Sequence, residues 1–143
     1  MGEQWTGDEL RSRPVCIRGI QLGRVVELLV DPAGLRLIGF DIRCGDDAVR
    51  FLPVAATRIR DQELEVRSAL LLLDENDTSF YRRRTRPLSE LRELPVRAED
   101  GVAGRLRDVL VEEDGGIAEL VLEDGRRVPA GSSVRLDDRA SAA

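Results

Sequence analysis

Gly23-Arg24-Val25-Val26-Glu27-Leu28-Leu29-Val30-Asp31 returns as Gly104-Arg105-Leu106-Arg107-Asp108-Val109-Leu110-Val111-Glu112, a constant offset of 81 positions (104 − 23). Both copies are rich in the aliphatic and β-branched residues that suit a pleated surface. In the first, Asp31-Pro32-Ala33-Gly34 reads as a turn, because proline presets its second position and glycine suits its last. Leu35 to Arg43 then predicts an antiparallel partner strand, with Ile38, Phe40 and Ile42 on one face and Gly39 and Asp41 on the other. Gly45-Asp46-Asp47 predicts the next turn, and Val49 to Leu52 a third strand stopped by Pro53. Arg58 to Arg60 and Leu64 to Val66 predict a short closing hairpin about Asp61-Gln62.

The second copy follows the same plan with fewer residues. Glu113-Asp114-Gly115-Gly116 replaces the first turn, and Ala118, Leu120 and Leu122 stand for Ile38, Phe40 and Ile42 at an offset of 80 (118 − 38). Asp124-Gly125 predicts a two-residue type I′ hairpin. Val128-Pro129 answers Leu52-Pro53 at an offset of 76 (129 − 53), which implies a further loop shortening of four residues (80 − 76). Short strands in such number leave exposed edges, and closure into a barrel removes them, with Gly19, Gly23, Gly101 and Gly104 placed to allow the bends.

The sequence therefore predicts an all-β protein of two small barrels in tandem, over residues 14–67 and 94–136. A polar segment 1–13 precedes them, a partly helical linker 68–93 joins them, and residues 137–143 form a frayed tail. In the linker, Asp74-Glu75-Asn76-Asp77-Thr78 is able to cap a turn or two of helix over Ser79 to Arg84, with Pro87 ending it.

Composition narrows the function. A unit of about 60 residues buries only about 60% of its unfolded surface, so the two halves of this 143-residue chain should lean on each other or on another subunit. All 22 basic residues are arginine and there is no histidine, which removes the usual general base, zinc ligand and pH switch together. A net charge of −5 disfavours direct nucleic-acid binding. Cys16 and Cys44 are too few for a disulfide framework or a zinc site and read as small core residues. With no long apolar stretch and no leader pattern, the sequence predicts a soluble, cytoplasmic protein without a membrane partner.

The run from Gly23 to Asp31, followed by a glycine turn, a hydrophobic strand and a strand closing on Leu52-Pro53, resembles the PRC-barrel domain. Gly104 to Glu112 with Val128-Pro129 is similar to a second, more compact copy. The resemblance covers about 45 residues in each half. It implies a small β-barrel module that serves as a non-enzymatic interaction domain, like the cytoplasmic part of a photosynthetic reaction-centre subunit and the C-terminal domain of the ribosome-maturation factor RimM. The chain departs from these relatives in having no transmembrane helix before the barrel and no tyrosine pair at its start, so neither role transfers.

Few residues invite a site. Glu27 and Asp108 occupy the same slot in both copies and could be brought together for acid–base work or a divalent ion, although hydrogen bonding to a turn or pairing with arginine is the simpler expectation. Arg82, Arg83, Arg84 and Arg86 beside Phe80 and Tyr81 form the basic–aromatic cluster from which partner binding is expected. The turn acids Asp46-Asp47, Glu99-Asp100, Glu112-Glu113-Asp114 and Glu123-Asp124 lack calcium-loop spacing. Gly19 to Gly23 lacks the lysine and following helix of a phosphate loop, and Ser132-Ser133 has no histidine to activate it. The resulting expectation is a non-enzymatic adaptor with no catalytic, cofactor or metal residues, docking to another protein or to itself as a homodimer. The alternative is an accessory factor in ribosome maturation or RNA processing.

Overall fold

A computed structural model describes residues 3–73 and 79–137; the side chains of Leu70, Ser79 and Phe80 lie outside the described part, as do the predicted helix cap Asp74 to Thr78 and the tail beyond residue 137. The first half runs β1 (Gln4–Thr6), α1 (Gly7–Leu10), β2 (Pro14–Ile17), β3 (Ile20–Asp31), β4 (Arg36–Cys44), β5 (Val49–Pro53), β6 (Thr57–Ile59) and β7 (Leu64–Val66). After short helix α2 (Ser79–Arg82), the second half runs β8 (Arg86–Pro87), α3 (Leu88–Leu91), β9 (Pro95–Ala98), β10 (Gly101–Glu112), β11 (Ile117–Leu122), β12 (Arg127–Pro129) and β13 (Arg135–Leu136). The fold is all-β. Two curled sheets form half-barrels, in the orders β5-β4-β3-β2-β7-β6 and β12-β11-β10-β9-β13.

The copies share their irregularities as well as their strands. Register shifts leave Leu22 and Val26 unpaired in β3, and Ala103 and Arg107 unpaired in β10, each at the offset of 81 (103 − 22, 107 − 26). A third shift falls at Ile38 in β4 and at Ala118 in β11. A bulge bends its strand and increases the local twist, so three repeated bulges give the two sheets the same curl. The bulge also corrects a predicted face. Leu37, fully buried, takes the place beside Phe40 and Ile42, and Ile38 is only half-buried.

The hairpin at Asp124-Gly125 differs from the expected two-residue turn. The amide of Leu122 donates to Arg126 O (2.8 Å) around a three-residue loop, in which Gly125 alone is left-handed (φ 91). The same loop closes the first half, where Cys44 N donates to Ala48 O (2.9 Å) and Asp47 is left-handed (φ 66). The four missing residues are therefore two cross-strand pairs, not loop: Phe40↔Leu52 lies four pairs from its loop closure, and Leu120↔Val128 two. Shortening each strand by two residues keeps every remaining side chain on its own face.

The lead-in segments cross over. β1 pairs with β10 of the opposite half, Trp5 against Val111, while β8 pairs with β3, Arg86 against Val30. These pairings are reciprocal at the offset of 81 (111 − 30, 86 − 5), as a pseudo-two-fold relation requires. Helix α1 follows its strand onto β10 and α3 follows onto β3. The anchors Leu10 and Leu91 are fully buried, and one hydrophobic cluster runs through both halves, including Trp5, Leu88 and Phe40. The N-terminal segment, described from residue 3, is thus a structural arm, and so is the end of the linker, where Pro87 precedes α3 as its N-cap rather than closing α2. Asp137, expected to fray, donates its amide to Pro95 O (3.0 Å) and accepts from Arg97 Nε (3.1 Å).

The two arms meet at Gly7 and Leu88, which are each other's counterparts (88 − 7 = 81). A β-carbon on Gly7 would stand 2.5 Å from Leu88 Cδ2 and 2.5 Å from Asp108 Oδ1, so the crossing tolerates only glycine there. Gly7→Ala is expected to cost about 1–3 kcal/mol by overpacking. Leu88→Ala should cost about 2–5 kcal/mol alone, yet the double variant should lose less than the sum, because each change frees space the other needs. Urea denaturation of the four proteins measures this coupling, and strict additivity would show that the arms do not share that space.

Candidate functional site

Glu27 and Asp108 each secure an arm arriving from the opposite half. Asp108, 5% exposed, accepts from the amides of Gly7 (2.9 Å), Asp8 (3.2 Å) and Val109 (2.8 Å). Glu27 accepts from Ser89 Oγ (2.7 Å), Ser89 N (3.4 Å) and Leu28 N (3.1 Å). Both carboxylates satisfy the orphan donors at the start of a short helix, which is why an acid recurs in this slot. They are tied to backbone amides, and the reading in which they converge as a reactive or ion-binding pair loses its basis. Among the described residues no three acidic or cysteine side chains group as metal ligands would.

The predicted basic–aromatic cluster divides. Tyr81 turns inward and stacks on the fully buried Phe51, with ring centroids 4.6 Å apart, and Phe51 in turn lies over Gly39, where a β-carbon would collide with its ring. Arg82 Nη2 reaches back to Asp41 (3.1 Å), and Arg86 Nε pairs with Glu90 Oε2 (3.3 Å). Burial pushes the Asp41 carboxyl above the ordinary carboxylate range, and Arg82 opposes that rise.

Arg82, Arg83, Arg84 and Arg86 line one open groove of about 800 Å³, together with Asp31 and Pro32 from the β3–β4 turn and Arg135 from β13. Arg135 and Asp31 join the site only through the arm crossing. No local sequence signal links Arg135 to residues fifty positions earlier, but the arm itself left a trace. Thr6-Gly7-Asp8-Glu9 has capping-box spacing, and the structure forms that box; Glu9-Leu10 and Pro14-Val15 recur as Glu90-Leu91 and Pro95-Val96 at the same offset of 81 (91 − 10).

Elsewhere, Cys16 and Cys44 are free and buried, as core residues would be. Burial and Glu63 push the Cys16 thiol up, keeping it protonated. Among the described residues no helix is long and apolar enough to cross a membrane. No protein-family model matches this sequence, and a search of curated proteins finds no match to it.

Two substitutions separate support from site. Asp108→Ala strands three amides at the buried arm junction and is expected to cost about 2–4 kcal/mol, whereas Glu27→Ala, whose Ser89 partner is exposed, should cost about 1 kcal/mol. Thermal unfolding measures both, and equal losses would contradict the difference in burial. For Arg82→Gln the sign follows from Asp41. Its raised pKa in the folded state means that ionised Asp41 opposes folding, a penalty absent below its unfolded pKa and incurred as pH rises through the folded one. Removing Arg82 deepens that penalty, so the variant should lose about 1 kcal/mol at pH 7 and close to nothing near pH 4.

Proposed function

We propose that this protein is a non-enzymatic docking module that binds an acidic segment of a protein through its arginine groove. The observation carrying this reading is the asymmetry of the groove lining: among the described residues, five arginines face it against one acid, Asp31, in a chain whose net charge is −5. Arg83 and Arg135 are exposed and have no partner among the described residues, so their guanidinium groups are available for bidentate pairing with carboxylates. The resemblance of each half to a PRC barrel supports the same reading, since such modules work by recognition. A cytoplasmic location belongs to the proposal as well.

The RNA-processing alternative has less support. Sequence-tolerant single-strand binding needs aromatic faces along a basic track, and Tyr81 is committed to Phe51.

The two readings differ in one titration. An oligoglutamate peptide of about ten residues, labelled for anisotropy, should bind the wild type at low salt, and Arg83→Glu with Arg135→Glu should weaken it at least about tenfold. Arg82 is left unchanged in that variant, because its loss would disturb Asp41. A single-stranded RNA of equal length that bound more tightly than the peptide would reverse the choice, and absence of binding to either would remove the groove as a docking site.

A further inference from the structure

The arginine groove has a counterpart on the other side of the pseudo-two-fold. A second groove, of about 650 Å³, is lined by Glu3, Trp5, Asp61, Glu63 and Glu113, with Arg60 the one base among the described residues. Its parts are the equivalents of those already described: Glu3 and Trp5 answer Arg84 and Arg86 at the offset of 81 (84 − 3, 86 − 5), and Glu113 answers Pro32 (113 − 32). The copies kept the architecture and took opposite charge. Among the described residues, the first groove carries five arginines and one acid and the second four acids and one arginine.

Their shapes differ at one element. In the first half, β6 and β7 form a hairpin whose two-residue tip, Asp61-Gln62, projects into solvent at the edge of the acidic groove. In the second half the edge of β9 is taken by β13, which runs antiparallel to it where β7 runs parallel to β2, and β13 is the last strand among the described residues. One side of the molecule offers an acidic projection. The other offers a basic groove.

We propose that copies of this chain associate head to tail, the Asp61-Gln62 tip of one copy seating in the arginine groove of the next, between Arg83 and Arg135. The inference rests on the docking reading above and names its acidic segment. The contact is heterologous, since a tip meets a groove and not another tip, so it closes into a ring or propagates as an open chain. Complementary charge fixes the register, because groove against groove of like sign or tip against tip is repelled. Asp61 and Glu113 have no side-chain partner among the described residues, which leaves this acidic face free to be neutralised by a second molecule.

The test is a charge swap followed by sedimentation velocity on the full chain. The wild type should form larger species with rising concentration at low salt and return to monomer at about 0.5 M salt, where charge attraction is screened within a few ångströms. Arg83→Glu with Arg135→Glu sets two carboxylates opposite the acidic tip and leaves the described groove lining at three arginines and three acids; Asp61→Arg with Gln62→Arg makes groove and tip both basic. Each variant alone should associate at least about tenfold more weakly than the wild type, and an equimolar mixture should regain association. Circular dichroism of these surface variants checks that the fold is kept. A wild type that stays monomeric, variants that associate unchanged, or a mixture that fails to recover would each overturn the proposal. Oligoglutamate binding by a wild type that stays monomeric would leave the docking reading standing, and loss of both would end the two together.

Discussion

Everything in this molecule hangs on the reciprocal crossing of two short arms. Each half-barrel, at about the size where a single core is marginal, completes its longest strand with three or fewer residues donated by the other half's lead-in. The crossing carries its own anchors, Trp5 and Leu10 on one arm and Leu88 and Leu91 on the other, and these join the two cores into one cluster. Asp108 and Glu27 supply the acceptors that let the short helices begin inside it. The carboxylate buried at Asp108 is tolerable because three amides face it, and two of them, on Gly7 and Asp8, reach it only when the arm is in place. Fold and exchange are therefore one event.

The crossing also builds the surface. A groove arises on each side where an arm enters the opposite half, between that half's first turn and the closing strand of the arm's own half. A duplicated fold with reciprocal arms must have two such grooves. What is not obligatory is that they differ. Bulges at Leu22, Val26 and Ile38 have counterparts at Ala103, Arg107 and Ala118, and the buried acid has its counterpart too, whereas groove positions change from Glu3 to Arg84 and from Glu113 to Pro32.

Strand identity was legible because it depends on local composition. The alternation around Phe40 and Ile42, the turn at Asp31, and the hairpin about Asp61-Gln62 all declare themselves within a few residues, and each forms. The bulge at Ile38 did not, since a one-residue slip in register leaves no mark on composition. The partner of Arg83 across the groove was equally hidden, for Arg135 arrives through topology. The arm is the instructive middle case. Its repeat and its capping box were present in Thr6 to Leu10, but Trp5 faces Arg86 across the alignment, and that chemical mismatch masks the duplication where it matters most.

The mismatch is itself informative about how the two copies divide their work. Leu10 and Leu91, and the acids Asp108 and Glu27, hold the arms where a change is penalised by packing or by an unsatisfied amide, and there the copies stay alike. Glu3, Arg84 and Glu113 on the groove walls are exposed and carry little of the folding energy, so such positions were free to diverge in sign without cost to the scaffold. Random divergence would leave both grooves mixed in charge. Instead, among the described residues, arginine collected in one groove and carboxylate in the other. Under the docking proposal, opposite charge at two equivalent grooves is the divergence that recognition would favour, since it alters what each surface can bind while the crossing beneath is kept.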